Sequence, residues 1–212
     1  MERWSKSLLL ALLAFAPAAA HAEVFGQWTS ARTLPMNAHS FGAQLEMSRH
    51  SVGLLSNLRL SLYPDVDFGF QGGFSRVQLE GNDVATVRLA ADFRVQAMRA
   101  GDTAPLDLSL GAFIGLESGD RLGRLVVGPS LVASRGVTMS GKERLVPYLG
   151  LQARFTQFEY RGVQRDDFSV PIRLGCVFPV VQGFRISGEA QFRISEDIDD
   201  HEAFGIGVDF DI

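Results

Sequence analysis

Hydrophobic and polar residues alternate along most of the chain with a period of two. In the segment from Val87 to Ala97, the residues Val87, Leu89, Ala91, Phe93, Val95 and Ala97 share one face. Arg88, Ala90, Asp92, Arg94 and Gln96 share the other. A helix would mix these two sets and a strand separates them. The same pattern predicts ten strands, over 39–48, 52–62, 66–76, 84–98, 106–117, 123–134, 145–159, 168–178, 184–194 and 203–212. Turn residues punctuate them at Tyr63-Pro64-Asp65, Gly81-Asn82-Asp83, Gly101-Asp102, Ser118-Gly119-Asp120, Ser140-Gly141-Lys142 and Gln182-Gly183. No segment carries a helical period, and no second domain is expected.

The runs are long for strands. A strand in a soluble sheet usually has about 5–6 residues, whereas one crossing a bilayer at a tilt of about 45° needs about 9–11. An even strand number closes a barrel with both termini on one side. Eight or twelve strands are the alternatives to ten.

Alternation alone also fits a soluble periplasmic barrel that binds an apolar ligand, so the question is which face points inward. One face is apolar on every strand. Its rows include Leu54, Leu58, Leu60 and Leu62; Val66, Phe68, Phe70 and Phe74; Leu106, Leu108, Leu110, Ala112, Ile114 and Leu116; and Phe204, Ile206, Val208, Phe210 and Ile212. The other face is rich in glycine, with Gly42, Gly69, Gly73, Gly111, Gly115, Gly128, Gly150, Gly175, Gly205 and Gly207. Glycine weakens a solvated strand, but inside a narrow barrel it makes room for long neighbours. The same face carries Arg59, Arg88, Arg94, Arg124, Arg154, Arg173, Arg185 and Arg193 against Glu46, Asp67, Asp92, Asp107, Glu117, Glu189, Asp209 and Asp211. After residue 22 the sole lysine is Lys142. Arginine's planar fork suits enclosed, paired sites better than lysine does. The apolar face is therefore expected to meet lipid, and the charges to form a network in the lumen, in which acids on neighbouring strands such as Asp67 and Asp107 are the expected partners of the fourth-strand charges Arg88, Asp92 and Arg94.

Composition and the N-terminus add the setting. Arg3 and Lys6 precede an apolar run from Ser7 to Ala16, and Ala20-His21-Ala22 forms an A-x-A cleavage site. Residues 1–22 thus read as a signal peptide cleaved after Ala22, too short for a spanning helix. Residues 23–38, with Pro35, read as an irregular periplasmic lead-in, either a tail or a partial plug, and 39–212 as the barrel. A formal net charge of −4 offers nothing to nucleic acid. The single cysteine, Cys176, falls on the lipid face as an inert residue, and no Cys/His spacing suggests a metal or cofactor site.

Over roughly 39–212 the chain resembles the small outer-membrane β-barrel families of Gram-negative bacteria, in architecture rather than in a diagnostic motif. The resemblance implies outer-membrane lipid and the barrel-assembly machinery as partners, with small ions or solutes as cargo if the lumen conducts. Those families often end in an alternating strand that closes on Phe; here it closes on Ile212. In strand number the chain is also similar to the omptin proteases, which place Asp pairs and an Asp-His pair at the outer rim. That resemblance points to Asp166-Asp167 in the seventh-to-eighth loop and Asp199-Asp200-His201 in the ninth-to-tenth. The chain is shorter than omptins, and acidic loop tips also read as solvated turns. A lipid A-modifying hydrolase would need Ser and His within reach. His39-Ser40 and His50-Ser51 are adjacent in strands, so their side chains diverge, and no G-x-S-x-G elbow occurs. The expectation is a non-enzymatic barrel with a largely filled lumen and a structural or narrow-channel role.

Overall fold

The computed structural model describes residues 29–79, 82–101, 104–139, 142–195 and 202–212. The proposed signal peptide, the start of the lead-in, and Asp199, Asp200 and His201 lie outside the described residues.

The described chain is a closed antiparallel barrel of ten staves. They are β1 (His39–Ser48), β2 (Ser51–Tyr63), β3 (Val66–Leu79), β4 (Asn82–Met98), β5 (Asp107–Gly119), β6 (Leu122–Ser134), a stave made of β8 (Lys142–Gln152) and β9 (Arg154–Tyr160), β10 (Val163–Val181), β11 (Phe184–Ser195) and β12 (Glu202–Asp211). A short strand β7 (Val137–Met139) folds back on the start of β8. Each stave pairs with its sequence neighbours, and β12 pairs with β1 to close the ring. Closure pairs every stave with a neighbour on each side, which is what a hydrocarbon surrounding demands.

The alternation read from the sequence is the alternation of the wall. On β4, Leu89 is 57% exposed and Phe93 44%, while their neighbours Arg88 and Arg94 are 2% and 1% exposed. Phe74, Leu110, Ile114, Leu116, Ile206 and Phe210 likewise stand on the outside. A soluble barrel would turn these rows inward; here the outer surface is an apolar belt and the inside is polar. On the belt, Phe184 stacks on Phe210 with ring centroids 4.8 Å apart, and Phe155 tilts against Phe168 at 4.9 Å. Cys176 sits on the same outward side, half-buried.

Two strand limits differ from the sequence reading. The seventh stave is broken at Ala153, whose N–H turns to Pro129 O at 3.1 Å. Gly128, directly beneath it, has no side chain to obstruct this bend. The eighth stave begins at Val163 rather than 168, because Arg161 and Gly162 make a tight turn with φ of 51° and 82°. Asp166 and Asp167 are therefore strand residues, paired with Gln157 and Thr156, not a loop. Successive strand side chains face opposite ways, so the two carboxyls do not form a rim dyad.

Candidate functional site

Ladder register places the lumen charges in small groups. Asp67 on β3 lies opposite Arg94 on β4. Arg94 Nε and Nη2 donate to Asp67 Oδ1 and Oδ2 at 3.0 and 2.7 Å, a bidentate pair. Arg59 on β2 also pairs with Asp67, and its Nη2 reaches Asp92 at 2.9 Å. That reach spans a whole strand. Arg59 lies opposite Gly69, and Gly69 lies opposite Asp92. With no side chain at position 69, the guanidinium crosses β3.

A second group lies towards the far end. Arg88 donates to Glu46 at 2.8 Å and to Glu117 at 2.9 Å. Arg124 donates to the other Glu117 oxygen at 2.7 Å, and Ser75 to Glu117 at 3.0 Å. A third group repeats the glycine device: Tyr148 and Glu189 flank Gly175, and Tyr148 OH donates across it to Glu189 Oε2 at 2.6 Å. Arg173 Nε lies 3.2 Å from the other Glu189 oxygen, out of line for a hydrogen bond. Arg173 is itself packed over Gly150. Arg154 donates to Gln152 at 3.1 Å and lies over the Phe113 ring, Arg193 pairs with Asp167, Arg185 pairs with Asp211 at 2.6 Å near the terminal rim, and Asp209 bonds Asn57. Taking two charges out of water is costly, and the cost is met only where geometry is good and the remaining polar atoms are bonded. The bidentate and bridging arginines meet that condition for the first group.

Glu46, Arg59, Asp67, Arg88, Asp92, Arg94, Asp107, Glu117, Arg154, Arg173, Glu189 and Arg193 are buried, whereas Asp211 is exposed, and two partners differ from expectation. Asp107 is not a partner of Arg94. It is the first residue of β5, whereas Arg94 lies opposite Gly111, a full four residues further along. Asp107 instead accepts from Arg32 at 2.7 Å, from Gln96 at 3.3 Å and from the Ala100 N–H at 2.9 Å. Arg88 turns away from Asp67 to Glu46 and Glu117.

The lead-in is the part of the site that alternation could not reveal. Residues 29–35 lie inside the terminal mouth of the barrel. Arg94 donates to Ser30 O and to Arg32 O, the latter at 3.2 Å. Ala31 N–H donates to Ser134 Oγ at 3.0 Å, and Leu34 N–H to Asp67 Oδ2 at 3.3 Å. Thr33 Oγ1 donates to Gln96 at 2.9 Å. Ala31 is fully buried against Val132, Val146, Tyr148 and Val177. The segment has no strand period because its backbone bonds go to side chains of the wall. Between it and the β1–β3 and β11–β12 walls lies a cavity of about 350 Å³, lined in part by Ser40, Gln44, Asn57, Arg59 and Asp209.

His50 Nδ1 meets Gln78 at 3.3 Å, and Ser51 Oγ meets Ser48 Oγ at 2.8 Å. Among the described residues no cluster of His, Cys, Asp and Glu could hold a metal.

The glycine device gives a direct prediction. A Cβ at position 175 would overlap the Tyr148 ring. Gly175→Val is expected to push Tyr148 off Glu189 and to cost about 1–3 kcal/mol, the range for overpacking a close-fitted interior. Urea unfolding of the refolded protein in detergent or lipid reads this out, with Gly188→Val, which faces open space, as the neutral control.

No protein-family model and no curated protein matches the sequence. Solved structures do. An outer-membrane channel from Pseudomonas putida F1 aligns over 90% of this chain and 100% of its own, at TM-score 0.50 and 9% identity. A loop-deleted OmpT, an outer-membrane protein of Vibrio cholerae, aligns over 76% of this chain at TM-score 0.38 and 13% identity, and the chain spans only 54% of its length. The N-terminal β-barrel domain of Pseudomonas aeruginosa OprF aligns over 84% of this chain and 98% of its own, at TM-score 0.35 and 12% identity. At these identities the likeness speaks for fold alone: the chain shares the β-barrel fold of the Pseudomonas putida outer-membrane channel, and its apolar belt faces outward.

Proposed function

We propose that the chain is an exported, non-enzymatic outer-membrane barrel whose charged lumen is largely filled, giving it a structural role with at most a narrow polar path. The observation that carries this reading is the double grip of Arg94. One guanidinium holds Asp67 in the wall and the carbonyls of Ser30 and Arg32 in the lead-in, so a single group both pairs with a lumen carboxylate and ties the lead-in to the wall. The channel named in the Pseudomonas putida structure is the precedent for a path. The test is planar-bilayer recording of the refolded protein. Little or no steady ionic conductance is expected, and a stable open level would overturn the filled-lumen reading.

Export and membrane residence make a second prediction. Protein processed after Ala22 should pellet with outer membranes and resist carbonate extraction, because no charge breaks the outer belt at mid-strand. Recovery in the soluble periplasmic fraction would contradict it.

A rim enzyme built on Asp199 and His201 is the competing reading. Refolded protein is expected to show neither proteolysis nor lipid A deacylation. An activity abolished by both Asp199→Asn and His201→Ala would establish that competitor.

A further inference from the structure

The cavity of about 350 Å³ beside the lead-in is lined by two unlike sets of residues. From one side β1 and β12 bring oxygen atoms to it. Asp209 on β12 lies between Gly42 on β1 and Arg185 on β11, and its carboxylate rests over the glycine. Among the described residues Asn57 alone donates a hydrogen bond to it. Arg185, directly opposite in register, turns to Asp211 at 2.6 Å instead. Of the other arginines on the lining, Arg59 is committed to Asp67 and Asp92, and Arg94 to Asp67. Gln44, two residues along β1 from Gly42, also lines the cavity; it is 2% exposed, and its Oε1 has no hydrogen-bond partner among the described residues. Ser40, two residues the other way, adds a buried hydroxyl. Further round the ring the lining is apolar, with Val146 on β8 and Val177 and Pro179 on β10.

A carboxylate with a single neutral donor, a buried amide oxygen without a partner and a hydroxyl make a set of acceptors on one wall. A primary ammonium group brings a positive charge and three N–H donors, and so matches that set. A metal ion is served less well. Calcium takes about 6–8 oxygens, and the apolar side of the cavity would strip water from an ion without replacing it, which is costly. The same apolar side suits an alkyl chain. A volume of about 350 Å³ is at the small end for a ligand pocket, so the chain must be short. Arg185, on the lining and 27% exposed at the terminal rim, marks the side from which a ligand enters.

We propose that this cavity is a binding site for a small primary alkylammonium ion, with its charged head on Asp209, Gln44 and Ser40 and its chain against Val146, Val177 and Pro179. The site needs the lead-in seated in the mouth, and it holds whether or not the lumen conducts. The experiment is isothermal titration of the refolded protein in detergent with n-butylammonium chloride, beside n-butanol and potassium chloride at matched concentrations. Wild-type protein should bind n-butylammonium saturably, one per chain, and neither of the other two. Asp209→Asn keeps the shape and removes the charge, and should weaken binding roughly tenfold or more, as the loss of a charge-assisted hydrogen bond does. Gln44→Leu should weaken it by a smaller factor. Asp83→Asn, which removes the same charge from an exposed pair at the opposite end of the barrel, should leave it unchanged. Heat-modifiable gel migration establishes that each variant is folded. No saturable binding of n-butylammonium to folded wild type would overturn the proposal and leave the filled-lumen reading untouched. Equal binding of n-butanol would show an apolar void, and equal binding of potassium a plain ion site; either overturns it. Folded Asp209→Asn that binds like wild type overturns it as well. A large steady ionic conductance would fail the filled-lumen reading without bearing on the titration.

Discussion

Arg94→Ser is expected to yield a destabilised, leaky barrel. The substitution removes both bonds to Asp67 and the donors to Ser30 O and Arg32 O. Breaking a buried ion pair typically costs about 3–5 kcal/mol, because the remaining charge is stranded. Asp67 keeps Arg59, which places the loss at the lower end, about 3 kcal/mol. The lead-in then loses its strongest anchor while Arg32–Asp107 and Thr33–Gln96 remain. Steady conductance should rise above the wild-type level. With one cation gone and Asp67 and Asp92 in place, the open lumen should prefer cations. Reversal potentials in a salt gradient measure that preference. Unchanged stability and conductance would mean that Arg94 neither seals nor supports the lumen.

Ile114→Arg is expected to be the most damaging change on the other face. Ile114 is 47% exposed at the middle of β5, between Ala91 and Val127 on the adjacent strands. An arginine at bilayer mid-depth on the lipid side costs about 2–4 kcal/mol. Insertion into vesicles should fail or slow severely, while the same change at Leu62, at the end of a strand, should be tolerated better. Both variants can be scored by heat-modifiable migration after refolding. Normal insertion of Ile114→Arg would mean that this face is not in lipid.

The barrel was legible because the restriction is imposed residue by residue. A wall with hydrocarbon on one side and packed charges on the other leaves its period in every strand, as Val87 through Ala97 shows. The glycine face was legible for the same reason, although its purpose needed register. Gly69 is simply a small inward residue until Arg59 and Asp92 are seen on either side of it. Ion-pair partners were less legible, because an arginine reaches across a strand or along one: Asp107 went to Arg32, not Arg94. The Arg161-Gly162 turn also escaped, since the polar run from Gln164 to Asp167 reads as a loop unless its pairing with β9 is known. The lead-in left no period at all. Its backbone is held by Arg94, Asp67 and Ser134, and bonds of that kind follow no sequence spacing.

The central claim, that the apolar face meets lipid and the charged face encloses the lumen, can be tested with two neighbouring tryptophans. In a Trp28→Phe background, one variant carries Phe113→Trp and the other Ile114→Trp. Phe113 is buried in the lumen beside Val126 and Arg154, and Ile114 stands on the belt. Each is refolded into vesicles with brominated acyl chains. The Ile114→Trp emission should be strongly quenched and the Phe113→Trp emission nearly untouched. Quenching of Phe113→Trp with sparing of Ile114→Trp would turn the barrel inside out and contradict the account.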